Sequence, residues 1–192
     1  MKNIYFACIV SKRKVLWDSW SDNHEGIAYE YGLGSGSLLP NYVRVEVHPK
    51  DGNIFNHKLS NWRIKVCEER LPKWFSLRRE KSKIVTALQE WFKRTFVINR
   101  KDCVEYSYSR LFVKDSVVNA WGLSLLDVYG DSIVELYHNS VAYAFDISKV
   151  KLFGDSIVFA YDNTKISAYH YSQVKAFNKS NVRSFCESTV HA

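Results

Sequence analysis

The chain from residue 116 onward repeats one pattern of hydrophobic and polar positions every eight residues. A small or branched aliphatic residue stands at the third position of each octad, a small or apolar residue at the fifth and an aromatic residue at the sixth. A hydroxyl residue opens ten consecutive octads: Ser116, Ser124, Ser132, Ser140, Ser148, Ser156, Thr164, Ser172, Ser180 and Ser188. Alternating apolar and polar positions, with β-branched and aromatic side chains, predict one short strand in each octad.

A fixed short period is typical of a solenoid, whose repeats bury their apolar sides by stacking on one another. Residues that tolerate positive φ, or that close turns with their side chains, follow the strands at 130–131, 138–139, 154–155 and 162–163. We therefore predict an octapeptide-repeat β-solenoid over residues 108–192. Two octads per coil is the favoured arrangement, and three octads per coil is the alternative.

Two aromatic ladders follow from a two-octad coil, because residues sixteen apart then stack. One ladder is Trp121, Tyr137, Phe153, Tyr169 and Phe185, and the other is Tyr129, Phe145, Tyr161 and Phe177. Strict alternation turns the sixth position outward, and rows of exposed rings mark a protein interface. A bend at the corner would instead tuck the rings against the turn. We interpret the ladders as partly exposed surfaces that bind a partner or form a homodimer. The last coils of the solenoid could also form the homodimer contact.

Residues 1–107 predict a small α+β module, so the whole chain is expected to be mainly β. Segments 4–10, 42–47 and 60–66 have the apolar content or the alternation of strands. From 82 to 96 the apolar residues recur at helical spacing, with Ile84, Leu88 and Trp91 on one face. Ser82 is the expected N-cap of this helix.

The net charge of +7 belongs entirely to the N-terminal module. Residues 108–192 hold eight basic and eight acidic residues, and residues 1–107 hold 19 and 12. The basic patch, predicted to bind a partner, comprises Arg70, Lys73, Arg78, Arg79, Lys81, Lys83, Lys93 and Arg94. Basic residues interleaved with aromatic ones suit phosphate attraction and base stacking. The open alternatives are a solvated charged face, an acidic protein partner and a nucleic acid.

No pattern in the sequence assembles a catalytic or metal-binding site. One loop holds four acid–base side chains without a matched nucleophile, metal set or oxyanion donors: Asp18, Asp22, His24 and Glu25. His138 and His170 share an octad position but would lie about 10 Å apart, too far to bind one ion at about 2 Å. We interpret these two histidines as turn residues. We predict no enzymatic activity, no catalytic residue, no metal and no cofactor.

Four cysteines lie far apart in the sequence, without a CxxC pair: Cys8, Cys67, Cys103 and Cys186. The apolar run at the N-terminus is too short for a signal peptide or a membrane span. Free thiols are expected in a reducing compartment. We therefore place the protein in a reducing cytoplasm, without a membrane partner.

Four segments of the N-terminal module carry a resemblance to known proteins: Tyr42-Val43-Arg44-Val45-Glu46-Val47, Asp51-Gly52-Asn53-Ile54-Phe55, Asn61-Trp62-Arg63-Ile64-Lys65-Val66 and Pro72-Lys73-Trp74-Phe75. With the octads of 116–192, they resemble a family of uncharacterised phage and mobile-element proteins of gut bacteria. Those proteins join a small N-terminal module to octads of the form Ser-x-Val-x-Ala-Tyr-Gly/Asp-Asn/Ser. Leu123, Ile147 and Lys149 depart from that form. The resemblance implies a phage-like context, in which short proteins without enzymatic motifs often inhibit host machinery.

The function expected from these features is that of an interaction protein. It would bind and inhibit a host protein or ribonucleoprotein complex, and the specific expectation is an anti-CRISPR or other anti-defence inhibitor. The alternative is a nucleic-acid-binding protein that uses the basic segment 63–101, with the solenoid as a spacer or dimeriser.

Overall fold

The computed structural model describes residues 4–21, 23–33 and 41–191. The chain separates into two units, Met1–Arg94 and Thr95–Ala192. The first unit contains a small antiparallel sheet with two helices, and the second is a parallel β-solenoid of about six turns. The predicted fold class, a mainly β protein with an N-terminal α+β region and a solenoid, is confirmed.

The sheet of the first unit has the strand order β2-β1-β3-β4. Its strands are antiparallel: β1 Phe6–Ser11, β2 Val15–Leu16, β3 Tyr42–Pro49 and β4 Trp62–Val66. Ser11 closes the turn between β1 and β2, because its Oγ accepts from Lys14 N at 3.0 Å and donates to Lys14 O at 2.8 Å. Three of these strands were predicted, and β2 was not.

Alternation along β1 gives the sheet two apolar sides, and one helix packs on each. Helix α1, His24–Glu30, buries Ile27 in a cluster with Ala7 and Ile9. Helix α2, Leu77–Thr95, places Trp91 against Phe6, with ring centroids 5.5 Å apart. Since Phe6 and Ala7 are neighbours in a strand, their side chains point to opposite sides of the sheet.

Helix α2 is the predicted helix, but it begins five residues before the expected N-cap at Ser82. Ser76 O accepts from the backbone N of Arg79 and of Glu80, both at 3.0 Å, and so starts the first turn. The apolar pattern hides this turn because Glu80 occupies its inward position, where the carboxylate is buried and paired with Lys83 at 2.8 Å. The predicted inner face, with Ile84, Leu88 and Trp91, is buried.

Neither described helix is long and apolar enough to cross a membrane. This statement covers the described residues alone.

The solenoid consists of two parallel sheets. The six-stranded sheet contains β6 Val104–Ser107, β8 Val117–Trp121, β10 Ile133–Leu136, β12 Lys149–Leu152, β14 Lys165–Ala168 and β16 Asn181–Ser184. The seven-stranded sheet contains β5 Phe96–Ile98, β7 Arg110–Lys114, β9 Leu125–Tyr129, β11 Val141–Ala144, β13 Ile157–Ala160, β15 Gln173–Ala176 and β17 Thr189–His191. Strands β5 and β6 lie before residue 108, the position at which the charge pattern predicts the boundary between the N-terminal module and the solenoid.

The register of the strands shows two octads per coil. Val134 of β10 pairs with Val118 on one side and with Val150 on the other, each sixteen residues away. Ala142 of β11 pairs in the same way with Leu126 and Val158. The two-octad coil is therefore the observed one, and the three-octad alternative is wrong.

The third and fifth octad positions fill the solenoid core, as alternation predicts. Val118, Leu136, Ala144 and Val158 are among the fully buried residues of one continuous cluster. The first position is also buried in the octads from Ser116 to Ser172. In four of them the hydroxyl donates back to the carbonyl of the preceding aromatic residue, as Ser140 Oγ does to Tyr137 O at 2.8 Å: Ser124, Ser132, Ser140 and Ser148. Such a bond satisfies a buried polar group, whereas the hydroxyls of Ser156, Thr164 and Ser172 are buried without a partner among the described residues.

The seventh octad position turns the chain. All nine residues there have φ between 56° and 69°: Gly122, Gly130, His138, Asp146, Gly154, Asp162, His170, Asn178 and Cys186. Glycine, aspartate and asparagine are the residues that adopt this left-handed region most easily. The interpretation of His138 and His170 as turn residues is confirmed by their φ values of 56° and 58°.

Candidate functional site: the outer faces of the solenoid and the basic helix

The sixth octad position forms the two predicted ladders, one at the end of each sheet. Ring centroids along the Trp121 ladder are 3.9 to 5.1 Å apart, and the rings are within 12° of parallel. The Tyr129 ladder has spacings of 4.9 to 5.0 Å. Because each ring lies face to face with its neighbours, only ring edges are left to solvent. Rings up to Tyr169 are partly exposed, and the last rings, Phe177 and Phe185, are 44% and 42% exposed.

A second set of apolar residues lies beside the Tyr129 ladder, on the outer side of the seven-stranded sheet. Strands β11 and β13 place aliphatic and aromatic side chains at the second and fourth octad positions, which point outward. Together with the adjoining ladder rings they form a continuous apolar face: Val141, Tyr143, Phe145, Ile157, Phe159 and Tyr161. All six residues are partly exposed. Tyr143 and Phe159 stack with centroids 4.8 Å apart.

The apolar face ends at a change of side-chain chemistry in the next coil. In β15 the outward positions hold Gln173 and Lys175. Lys175 Nζ lies 5.2 Å from the ring centroid of Phe159, within the range of a cation–π contact. The apolar face thus has a polar border on this side, which is the composition of a protein interface with a core and a rim.

The six-stranded sheet has a different outer side. Apart from Ile133, strands β10, β12, β14 and β16 carry polar residues at both outward positions. Two of the lysines form ion pairs: Lys151 Nζ lies 2.8 Å from Glu135 Oε1, and Lys149 Nζ lies 3.0 Å from Asp131 Oδ1 in the turn before β10. This outer side is thus polar and charged, whereas the apolar face is not matched to water.

Sequence reasoning identified the ladders but missed the second and fourth positions of the apolar face. The signal lies in a period of sixteen rather than eight. The fourth position is Tyr143 and Phe159 in two alternate octads, while the octad before each of them holds Glu135 and Lys151 respectively. Once two octads form a coil, this alternation places the two rings on the seven-stranded sheet and the two charged residues on the six-stranded sheet.

All eight residues of the predicted basic patch are exposed. Two of the eight form ion pairs with acidic side chains of the described chain: Lys83 with Glu80 at 2.8 Å, and Lys93 with Glu90 at 2.6 Å. Arg94 lies over the Trp17 ring at 5.3 Å, and Arg79 donates to Trp74 O. The others, Arg70, Lys73, Arg78 and Lys81, make no ion pair with a described acidic residue.

The basic side chains of α2 do not share one stripe with exposed aromatic residues. Helical geometry places Arg78 and Lys81 on one flank and Arg79 with Lys83 on the other. Phe75, Trp91 and Phe92, the rings interleaved with them in sequence, are buried. The patch offers charge for phosphate groups or acidic side chains, but these three rings are not available for stacking on bases.

The loop around 18–25 does not assemble an acid–base group among its described residues. The carboxylate of Asp18 accepts from the backbone N of Trp20 and Ser21, at 3.1 and 2.9 Å. Asp22 lies outside the described residues. The ring of His24 instead turns to the sheet, where its Nε2 is 3.1 Å from Val45 O.

His24 joins a polar cluster that the sequence did not predict. Asn23 caps α1 by accepting from Gly26 N at 2.8 Å, and this fixes His24 as the first residue of the helix. A ring nitrogen of His24, a carboxylate oxygen of Glu46 and Sγ of Cys67 lie within 4.8 Å of one another. Since the three come from α1, β3 and the residue after β4, no short sequence motif contains them.

Burial and neighbouring charges set the protonation of this polar cluster. Burial lowers the pKa of His24, which favours the neutral ring. Burial raises the pKa of the Cys67 thiol, and the negative charge of Glu46 raises it further. Burial alone would raise the pKa of Glu46, but hydrogen bonds from His48 at 2.9 Å and from Lys65 at 3.0 Å bring it below its usual value.

No protein-family model matches the chain, and neither the curated proteins nor the solved structures give a match.

Proposed function

We propose that this protein is an interaction protein that binds another protein through the apolar face of its solenoid. The observation that carries the proposal is the contrast between the two sheets. Tyr143, Ile157 and Phe159 stand at outward positions of one sheet, while Glu135 and Lys151 form an ion pair at outward positions of the other. A sheet whose outer side meets only solvent has no reason to place a cluster of rings on that side.

The geometry of the apolar face suits tight association. Parallel strands hold its columns at fixed spacing, and stacking of Tyr143 on Phe159 limits the rotamers of both rings. Side chains that are already ordered lose little conformational entropy when a partner covers them. Aromatic residues surrounded by a polar border are also the residues that dominate binding energy at protein interfaces.

The form of this function that we propose is inhibition. A bacterial host protein or ribonucleoprotein complex would be bound in the cytoplasm and blocked by occupation of its surface, without enzymatic chemistry. An anti-CRISPR or other anti-defence inhibitor is the specific proposal. Its support is the resemblance of the octads and of the N-terminal segments to phage and mobile-element proteins.

Affinity capture with the tagged full chain from producing bacterial cells tests this proposal. We expect one protein complex to be retained whether or not the lysate is treated with nuclease. The double substitution Tyr143→Ser with Phe159→Ser should abolish capture, because it removes the central rings of the apolar face. The matched control, Lys149→Ser with Lys165→Ser, changes outward positions of the other sheet and should leave capture intact.

One outcome of the capture experiment and one of a light-scattering measurement would overturn the proposal. Equal capture by the ring variant and the control would show that the apolar face is not the binding surface. A normal circular-dichroism spectrum of the ring variant is required, so that loss of capture is not loss of fold. Light scattering on the purified chain measures whether it forms a dimer. If the parent chain is a dimer and the ring variant is a monomer, the apolar face binds a second copy of the chain.

A second candidate function is nucleic-acid binding by segment 63–101, favoured by the exposed Arg70, Lys73, Arg78 and Lys81. Binding through phosphates should weaken steeply as salt rises. Charge reversal with Arg78→Glu and Lys81→Glu should abolish the salt-dependent binding of a short RNA or DNA duplex. Lys149→Glu with Lys165→Glu on the solenoid is the matched control. Salt-independent binding, or none, would remove this candidate.

A further inference from the structure

The polar cluster of the first unit contains three kinds of metal-binding donor at one place. His24 supplies an imidazole nitrogen, Glu46 a carboxylate oxygen and Cys67 a thiol sulfur, all within 4.8 Å of one another. Bound to one tetrahedral Zn²⁺, such donors lie about 3.5 Å apart, given metal–ligand distances of about 2.0 to 2.3 Å. The observed limit of 4.8 Å exceeds this spacing by about 1.3 Å, a difference that rotation of the Glu46 and Cys67 side chains would have to close.

We propose that His24, Glu46 and Cys67 bind one divalent transition-metal ion of the Zn²⁺ type. A nitrogen, an oxygen and a sulfur donor together suit Zn²⁺ and its spectroscopic substitute Co²⁺, while Mg²⁺ and Ca²⁺ select oxygen donors only. Three protein ligands leave one tetrahedral position, which water fills in sites of this kind. On binding, Cys67 forms the S–metal bond as a thiolate, and its proton passes to solvent.

The surroundings are suited to a cation of charge +2. The Glu46 carboxylate and the Cys67 thiolate contribute two negative charges toward the ion, and Lys65, 3.0 Å from Glu46, offsets one of them. Lys65 and His48 both contact Oε2 of Glu46, so we assign Oε1 to the metal. The nearby Arg44 is already neutralised by Glu68, 2.7 Å away.

The proposed site also has the fixed orientation that metal-binding histidines show. The ring of His24 is anchored by the backbone carbonyl of Val45 at 3.1 Å, and a backbone carbonyl is one of the usual outer partners of a metal-bound imidazole. In the neutral ring, one nitrogen donates and the other keeps its lone pair. The ion would then connect the start of α1 to β3 and to the end of β4, segments more than twenty residues apart. Its role is to fasten this helix to the sheet.

Titration of the reduced full-length chain with Co²⁺ tests the site directly. We expect one Co²⁺ per chain, with a thiolate-to-cobalt charge-transfer absorption and the strong visible bands of tetrahedral Co²⁺. Cys67→Ser should remove the charge-transfer absorption. His24→Ala and Glu46→Gln should each lower Co²⁺ affinity more than about 10-fold, since even loss of an outer partner costs that much at other sites.

The exposed cysteines provide the matched control, because any thiol can bind Co²⁺ adventitiously. Cys103→Ser and Cys186→Ser should leave the absorption and the stoichiometry unchanged. Absence of a charge-transfer band in the parent chain would overturn the proposal, and so would a band that survives Cys67→Ser. If Cys67→Ser does not fold, the Glu46→Gln variant provides the test. Unchanged Co²⁺ affinity in folded Glu46→Gln would show that the three residues do not bind the ion. These outcomes are independent of whether the apolar face binds a partner.

Discussion

Single residues of the solenoid carry interactions that its repeat pattern does not require. Glu135, at an outward position of β10, accepts from Lys151 Nζ at 2.8 Å and from the Tyr137 hydroxyl at 2.7 Å. These hydrogen bonds lower the pKa of Glu135, and the bond to Glu135 raises the pKa of Tyr137 to about 12. The carboxylate thus connects two neighbouring coils and one rung of the Trp121 ladder.

The depressed pKa of Glu135 has a consequence for stability at acid pH. A carboxyl group whose pKa is lower in the folded state stabilises that state above its ordinary pKa, and the contribution disappears as pH falls through the lowered value. We expect Glu135→Gln to reduce the free energy of unfolding by about 0.5–1 kcal/mol near neutral pH. The difference from the parent chain should shrink as pH falls below the ordinary pKa of a glutamate and through the lowered pKa of Glu135.

Urea denaturation of both chains, repeated from neutral to acid pH, measures this difference. Asp155→Asn is the matched control, because Asp155 is an exposed corner carboxylate of the same solenoid. If Glu135→Gln reduces the free energy of unfolding by the same amount across the pH range, the shape of the side chain, rather than its charge, is responsible.

At the scale of elements, the sequence predicts what local repetition determines. Strands of the solenoid follow from alternation, and their order follows once two octads form a coil, because each strand then pairs with the strand sixteen residues away. The inward faces of β3 and α2 were equally readable, since Val43, Val45 and Val47 alternate and Ile84, Leu88 and Trp91 keep helical spacing.

Elements whose stability comes from distant contacts were not predicted. Helix α1 has only seven residues and buries Ile27 and Ala28, too few to show a period. It depends on the Asn23 cap and on packing against Ala7 and Ile9 of β1. Isolated helices of this length are not stable in water, so the Asn23 cap, a local signal, does not by itself predict the helix.

The same distinction explains the candidate sites. The ladders could be predicted because their residues repeat, whereas the polar cluster could not, because His24, Glu46 and Cys67 meet only when α1 lies over β3 and β4. The residues of the apolar face repeat every sixteen positions. They can be predicted to form one surface only when it is known which octads share a sheet.

At the scale of the whole molecule, the two proposed sites belong to different units. The polar cluster lies within Met1–Arg94 and the apolar face within Thr95–Ala192. Each unit has an apolar cluster of its own, one around Ile9 and Ile27 and one that continues through the solenoid. Substitutions that share no contacts usually have additive effects.

We therefore expect the two sites to be independent. Cys67→Ser should abolish Co²⁺ absorption and leave partner capture unchanged, while Tyr143→Ser with Phe159→Ser should do the reverse. Both measurements on both variants complete the test, with the parent chain as reference. Loss of capture in a folded Cys67→Ser chain would instead reveal a coupling free energy between the units. In that case Zn²⁺ added to the parent chain should change its affinity for the partner, and the partner should change its affinity for Zn²⁺ by the same factor.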